Sequence, residues 1–279
     1  MPRLLHARLP CGVATGCNGR AMKPLIAVLC LALLAGCAHQ PPARNPMATW
    51  VPSPNHDERR PVVIVLHYTE QDSVQRSLDT LRTRNSGGPV SSHYLVGDDG
   101  AIYQLVADSQ RAWHAGGGRW GTITDLNSAS IGIEIDNDGR EPFTEAQVEA
   151  LLRLLDDLST RLRIPRTQVI GHSDLAPSRK IDPGALFPWR RLAEAGFGIW
   201  PADDAPPAPA GFDGMRALRE VGYDTSDPEA VVRAFRLRFR GDAGTVLDDE
   251  DLRILHALTL PGGAGLLVPR VGGEQTSRR

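Results

Sequence analysis

The segment GHSDLAPSRKIDPG, residues 171–184, concentrates side chains that could do chemistry: a histidine, two aspartates, an arginine and a lysine. Its two prolines and two glycines break any helical or strand period, so the pattern predicts a rigid loop that holds polar groups. His172 and Asp182 are separated by nine residues within this loop. An imidazole and a carboxylate are both common ligands of metal ions in proteins.

A third candidate ligand, His67, ends the apolar run PVVIVLHYT at 61–69, which has the composition of a strand buried on both faces. Two neutral imidazoles and one carboxylate form a set that Zn²⁺ accepts while a fourth position stays open, as in catalytic rather than structural sites. We therefore predict zinc as the cofactor, bound by His67, His172 and Asp182. The alternative for His67 is a hydrogen-bonded core histidine at a strand end.

Two further residues complete a hydrolytic set. Glu134 lies among isoleucines in SIGIEIDND, residues 130–138, where loss of water raises the pKa of a carboxylate toward the range of a general base. Lys180 precedes Asp182 by two residues and is placed to stabilise an oxyanion. Because zinc also activates water and polarises carbonyl groups, the set predicts metal-assisted amide hydrolysis. The alternatives are a solvated strand face for Glu134 and an ion pair with Asp174 for Lys180.

The glycine-rich stretch AWHAGGGRW, residues 112–120, exposes aromatic and polar side chains in a loop. We predict Trp113 and His114 as substrate-binding residues, since such loops line grooves and indole rings stack on sugars. The alternative is a turn that packs on the core.

Several of these segments together resemble one known family. The segments, in chain order, are VLHYT, VSSHYLVGDDGAIYQLV, RAWHAG, SIGIEIDND and GHSDLAPSRKIDPG followed by FPW. They resemble the type 2 N-acetylmuramoyl-L-alanine amidases, a zinc-dependent family that includes phage amidases and peptidoglycan recognition proteins. The resemblance covers about residues 60–200.

The resemblance implies roles for individual residues. His67, His172 and Asp182 would be the zinc ligands, Glu134 the catalytic carboxylate and Lys180 the oxyanion partner. The implied reaction is hydrolysis of the amide between the lactyl group of N-acetylmuramic acid and L-alanine, in peptidoglycan or muropeptides. A noncatalytic recognition protein and a zinc peptidase that cuts within the stem peptide are the alternatives. The intact ligand and base set argues against the noncatalytic one.

Strand and helix patterns follow one another irregularly, which predicts an α/β (α+β) fold with a central mixed β-sheet flanked by helices. The run SHYLVGDDGAIYQLV predicts a hairpin, and QVIGHSD a strand that leads into the polar loop. The clearest helix is TEAQVEALLRLLDDLSTRL, with Thr144 as N-cap and Gln147 at the capping-box position. Three helical patterns after residue 211 predict a small three-helix domain.

The apolar run LIAVLCLALLAGC, residues 25–37, is too short to span a bilayer and fits the apolar region of a signal peptide better than a buried core helix. Its end, LLAGC, resembles a bacterial lipobox. We therefore expect Met22 as the start, Cys37 as the lipidated first residue of the mature chain, and a periplasmic protein anchored to the outer membrane. All four cysteines, at 11, 17, 30 and 37, lie at or before this point, so we expect no disulfide in the mature chain.

Composition shifts divide the chain into six predicted parts. They are the upstream extension and signal peptide (1–37), a linker (38–58), the zinc amidase domain (59–200), a Pro/Ala linker (201–211), a helical domain of peptidoglycan-binding type (212–262) and a disordered tail (263–279). A net charge of −2 offers no basic field for nucleic acid. We expect a monomer whose partners are a muropeptide and, through the lipid anchor only, a membrane.

Overall fold

The computed structural model describes residues 44–58, 61–85 and 88–269. The predicted start at Met22, the signal peptide and Cys37 lie outside these ranges, so the lipid anchor and the outer-membrane location stay predictions. Among the described helices, none combines the length and the apolar character that crossing a membrane requires.

Ten strands form one large and two small sheets in the described residues. They are β1 (Thr49–Trp50), β2 (His56–Glu58), β3 (Val63–Tyr68), β4 (Arg84–Asn85), β5 (Gly88–Pro89), β6 (Tyr94–Val96), β7 (Ile102–Gln104), β8 (Gln110–Ala112), β9 (Ser130–Ile135) and β10 (Val169–Gly171). The large sheet has the order β1-β7-β6-β9-β3-β10, while β2 pairs with β8 and β4 with β5. Only the pair β6–β7 is antiparallel in the large sheet, so the sheet is mixed, as predicted.

Helices cover both faces of this sheet. They are α1 (Val74–Thr80), α2 (Leu126–Ala129), α3 (Glu145–Leu162), α4 (His172–Leu175), α5 (Trp189–Glu194), α6 (Gly214–Val221), α7 (Pro228–Phe239) and α8 (Asp249–Thr259), followed by a 3₁₀ turn at Pro261–Gly263. The predicted capping box of α3 is confirmed: the Thr144 side chain accepts from the Gln147 backbone N–H, and the Gln147 side chain accepts from the Thr144 backbone N–H.

The central strands β3 and β9 are buried on both faces because each face meets a separate apolar core. Ile131, Ile133 and Ile135 pack with α3 and α5 on one side. Val63 and Val65 contact the core on the other side. Since side chains alternate along a strand, Glu134 points to the face opposite the three isoleucines.

The C-terminal helices belong to the second of these cores. One continuous cluster joins Val65 and Leu175 of the sheet region to Leu218 of α6, Phe235 of α7 and Leu255 of α8. The three predicted helices are therefore confirmed, and they pack directly on the sheet face.

The segments that flank the predicted domains also make ordered contacts. Thr49 and Trp50, inside the predicted linker 38–58, pair with β7 because the edge of β7 offers backbone groups that need partners. In the predicted disordered tail, the Leu267 N–H donates to the Trp200 carbonyl at 2.9 Å, while residues 270–279 lie outside the described ranges. The division into domains itself stays a prediction.

Candidate metal centre and active site

The candidate site lies where three parallel strands reach their carboxyl ends. In the register of β3 and β9, His67 and Glu134 are paired Cα partners. In the register of β10 and β3, Gly171 is paired with Leu66, so His172 follows directly after the end of β10. Adjacent strands lie about 4.8 Å apart. The sheet therefore places His67, Glu134 and His172 at one edge.

Three potential ligand atoms converge at this edge. His67 Nδ1 lies 2.9 Å from His172 Nδ1 and 3.0 Å from Asp182 Oδ2. His172 Nδ1 also lies 3.0 Å from the same carboxylate oxygen. All three side chains are buried, and they form a group that could hold a metal ion. The structure thus brings together the three residues that the sequence predicts as ligands.

The hydrogen bond on the far side of His172 decides which ring nitrogen bears its proton. His172 Nε2 lies 2.9 Å from the carbonyl oxygen of Ala115, which can only accept. In the neutral ring, Nε2 therefore carries the proton and Nδ1 carries a lone pair. Such a carbonyl partner is the usual means of orienting a histidine ligand.

The same logic applies to His67 through a longer chain of contacts. Ser130 Oγ donates to the Leu126 carbonyl at 2.5 Å, so it can accept from His114 Nε2 at 3.3 Å. His114 Nδ1 is then an acceptor, and it lies 3.0 Å from His67 Nε2. The proton of His67 consequently resides on Nε2, and its Nδ1 lone pair points at His172 and Asp182.

Three electron-rich atoms that face one another in a buried site repel unless a positive charge lies among them. Burial, and secondly the charge of His172, lower the pKa of His67 from 6.5 to about 4, so this imidazole is neutral at neutral pH. Burial alone would raise the pKa of Asp182, but His172 and His67 outweigh it and hold that pKa well below its usual range. Two imidazole nitrogens and a carboxylate oxygen form a ligand set that a divalent metal such as zinc accepts.

Glu134 and Lys180 accompany this cluster. Burial, and then the charge of Asp182, raise the pKa of Glu134 well above its ordinary value, and Lys180 partly opposes them. The alternative pairing of Lys180 with Asp174 is wrong, because Asp174 instead pairs with Arg238 at 2.5 Å. Both Glu134 and Lys180 line the same cavity as the ligands.

This cavity has a volume of about 780 Å³ and extends from the ligands toward α1. Trp113 and His114 both line it. His114 is buried, with its two ring nitrogens against His67 and Ser130, which gives it a supporting position behind a candidate ligand. The substrate-binding roles of Trp113 and His114 stay predictions.

Two residues that support the site were missed by the sequence analysis. Gly132 is one, because a Cβ there would lie 2.4 Å from Cγ of the His114 ring. A glycine inside a strand pattern is itself a signal for such a close approach. Arg179 is the other: its Nη2 donates at 2.8 Å to the Ala115 carbonyl that also orients His172, and nothing in the loop pattern distinguishes it.

The fold and the cleft together define the class, an α/β enzyme with a candidate metal centre at the carboxyl edge of its sheet. Residues 57–185 match the family described as N-acetylmuramoyl-L-alanine amidase (Amidase_2). The chain is also 38% identical over 210 residues to the N-acetylmuramoyl-L-alanine amidase AmiD of Escherichia coli (strain K12), which covers 64% of this chain and 74% of AmiD. The chain belongs to this amidase family, and the resemblance seen in the sequence is confirmed.

Solved structures of relatives have the same fold. The structure of Escherichia coli AmiD with anhydro-N-acetylmuramic acid-L-Ala-D-gamma-Glu-L-Lys matches with a TM-score of 0.66 and 34% identity, covering 80% of this chain and 94% of the chain in that structure. AmpDh3 from Pseudomonas aeruginosa in complex with anhydromuramic pentapeptide matches with a TM-score of 0.64 and 31% identity, covering 77% of this chain and 96% of AmpDh3. The predicted fold class is therefore confirmed.

Proposed function

We propose that this enzyme is a zinc-dependent amidase that hydrolyses the amide between the lactyl group of N-acetylmuramic acid and L-alanine, in peptidoglycan or in muropeptides. The observation that carries the proposal is the convergence of His67, His172 and Asp182 beside Glu134 in one cavity. The AmiD relative, whose structure contains an anhydromuramyl peptide described as its substrate, supports the choice of bond.

His67, His172 and Asp182 would hold the ion through the three atoms that already face one another. When bound, zinc supplies Lewis-acid chemistry, because it polarises a carbonyl and makes water a nucleophile at neutral pH. Ala115 and His114 keep the two imidazoles in the tautomer that this role needs.

Glu134 performs the proton transfers. Its carboxylate removes a proton from the attacking water, and its raised pKa lets it hold that proton and then deliver it to the departing amine of L-alanine. Lys180, on the same cavity wall, stabilises the negative charge that develops on the former carbonyl oxygen. The C–N bond breaks, giving a lactyl carboxylate and a free peptide amine.

The cavity is large enough for a substrate of this class, because small-molecule sites commonly occupy about 300–1,000 Å³. The muropeptide would place its lactyl amide beside Glu134, with Trp113 available to contact the sugar or the peptide. We also propose that a lipid on Cys37 anchors a monomeric enzyme to the outer membrane, on the periplasmic side.

Mass spectrometry of digested muropeptides tests the reaction. The amidase releases an intact stem peptide that begins with a free L-alanine amine, together with the muramyl sugar. A shortened stem would identify a peptidase instead. If a folded, zinc-supplied enzyme leaves the muropeptides unchanged, the protein binds muropeptides without cleaving them, and the proposed reaction is wrong.

A further inference from the structure

A buried ion pair connects the C-terminal helices to the segment that carries His172. Asp174, in α4, accepts from Arg238 Nη1 at 2.5 Å, and the Arg238 and Asp174 side chains are only 2% and 0% exposed. Arg238 belongs to α7, 64 residues further along the chain. Asp174 lies two residues after His172, so the contacts that fix its carboxylate also restrain the short helix that begins at this proposed ligand.

Arg238 holds the His172 segment at two points. Besides the ion pair, its Nη2 donates to the carbonyl oxygen of Val169, the first residue of β10, at 3.2 Å. Its guanidinium lies over the Trp189 ring at 4.3 Å, which restricts its position further. The segment from Val169 to Asp174 is thereby clamped at both ends, with His172 between the two contacts.

Tyr223, just after α6, supplies the second donor to the same carboxylate. Its hydroxyl donates to Asp174 Oδ1 at 2.6 Å, and burial followed by the charge of Asp174 raises the pKa of Tyr223 so that the hydroxyl keeps its proton. Asp174 Oδ2 also accepts from the Gly171 backbone N–H at 2.8 Å. Both oxygens of Asp174 are thus occupied.

A buried ion pair adds little net stability compared with apolar residues of similar size. What these contacts provide is a fixed geometry for the chain on both sides of His172. We propose that Arg238 and Tyr223 are positioning residues of the metal centre. Through them the C-terminal helices hold the His172 segment in the geometry that catalysis needs, in addition to any role in substrate binding. The metal-binding part of this inference rests on the proposed function.

The test uses full-length variants with matched controls. Tyr223→Phe removes one hydroxyl, and Arg238→Lys keeps the charge but loses the planar fork that reaches both Asp174 and Val169. Tyr103→Phe, in β7, is the control for the tyrosine. Arg236→Lys is the control for the arginine, because Arg236 lies in the same helix but pairs with Asp242 and Asp251, away from the His172 segment.

Two measurements are made on each variant: zinc affinity, by competition with a chromogenic chelator, and amide hydrogen exchange of residues 169–175 in the metal-free protein. We expect Tyr223→Phe and Arg238→Lys to weaken zinc binding about 10-fold or more, as losses behind metal ligands do, and to speed exchange in this segment. The controls change zinc affinity by less than about twofold. In turnover assays, kcat falls in the two test variants while KM is kept.

The proposal is overturned if folded Tyr223→Phe has wild-type zinc affinity and wild-type exchange in residues 169–175. It is also overturned if Arg236→Lys weakens zinc binding as much as Arg238→Lys does, since the effect would then be general destabilisation. If the wild-type protein binds no zinc, the proposed function fails, while exchange in the metal-free protein still decides whether the two residues hold the segment. If Arg238→Lys does not fold, the zinc affinity and the hydrogen exchange of Tyr223→Phe still test the proposal.

Discussion

Glu134 and His67 are direct neighbours across two parallel strands, paired in the register of β9 and β3. This pairing places a carboxylate with a raised pKa next to a buried imidazole with a lowered pKa, on the sheet face opposite the three isoleucines of β9. If the register of these two strands slipped by one residue, the Glu134 side chain would point to the opposite sheet face, into the apolar core. The spacing of base and ligand is therefore set by the same hydrophobic pattern that forms the sheet.

Glu134→Gln removes the proposed base while keeping the shape of the side chain. We expect kcat to fall by about 10²–10⁴-fold with zinc content unchanged, because in the proposed mechanism Glu134 transfers protons and is not one of the three proposed ligands. Asp136→Asn is the matched control on the same segment, where the carboxylate is hydrogen-bonded by Ser77 and Thr69. Steady-state kinetics and metal analysis check both variants. Near-normal turnover by Glu134→Gln would remove this residue from the mechanism.

Lys180→Met is expected to move the acid limb of the kcat profile to higher pH. The positive charge of Lys180 lowers the pKa of Glu134, so its removal raises that pKa. The base must be deprotonated to act, and activity is then lost at a higher pH as the solution is acidified. Loss of oxyanion stabilisation should also lower kcat by about 10²–10³-fold. Lys180→Arg keeps the charge, so the acid limb of its kcat profile should lie at the same pH as in the wild type. An unshifted acid limb for Lys180→Met would refute the electrostatic role.

Ser130→Ala interrupts the chain of contacts that orients His67. The substitution removes the serine oxygen that accepts from His114 Nε2, and with it the contact that favours the tautomer presenting His67 Nδ1 to the proposed metal. We expect zinc affinity to fall about 10-fold to 100-fold. Ser128→Ala, at an exposed capping position nearby, is the control. Equal zinc affinities for the two variants, measured by chelator competition, would mean that the chain does not orient the ligand.

Cys37→Ser tests the predicted lipid anchor. If Cys37 is acylated, this substitution releases the enzyme from the membrane fraction into the soluble periplasmic fraction, because covalent lipid chains provide the membrane affinity. Cell fractionation with immunodetection measures the distribution, and Cys30→Ser serves as the control inside the same apolar run. An unchanged membrane fraction for Cys37→Ser would contradict the lipobox assignment.

The three residues of the candidate metal centre could be predicted from sequence because each occupies a position with a local signal. His67 ends a buried-strand pattern, while His172 and Asp182 lie in a loop made rigid by prolines and glycines. The hairpin of β6 and β7 and the capped helix α3 were predictable for the same reason, since their turn and capping residues act within a few positions.

The contacts between distant elements had no comparable signal. Arg238 occupies a helix in which an arginine ordinarily faces solvent, and it is buried where Asp174, 64 residues away, and the Val169 carbonyl accept its hydrogen bonds. The two-residue strand Thr49–Trp50 is too short to show a period of its own. Its pairing with β7 depends on the edge that the rest of the sheet presents.

The central claim is that His67, His172 and Asp182 together hold the zinc ion that drives amide hydrolysis. The most direct measurement is the zinc content and muropeptide turnover of the purified enzyme, before chelation, after chelation and after zinc is restored, beside Asp182→Asn treated identically. We predict one zinc per wild-type chain, activity that is lost on chelation and regained with zinc, and neither property in Asp182→Asn. Full turnover by zinc-free wild-type enzyme, or by Asp182→Asn without bound metal, would contradict the account.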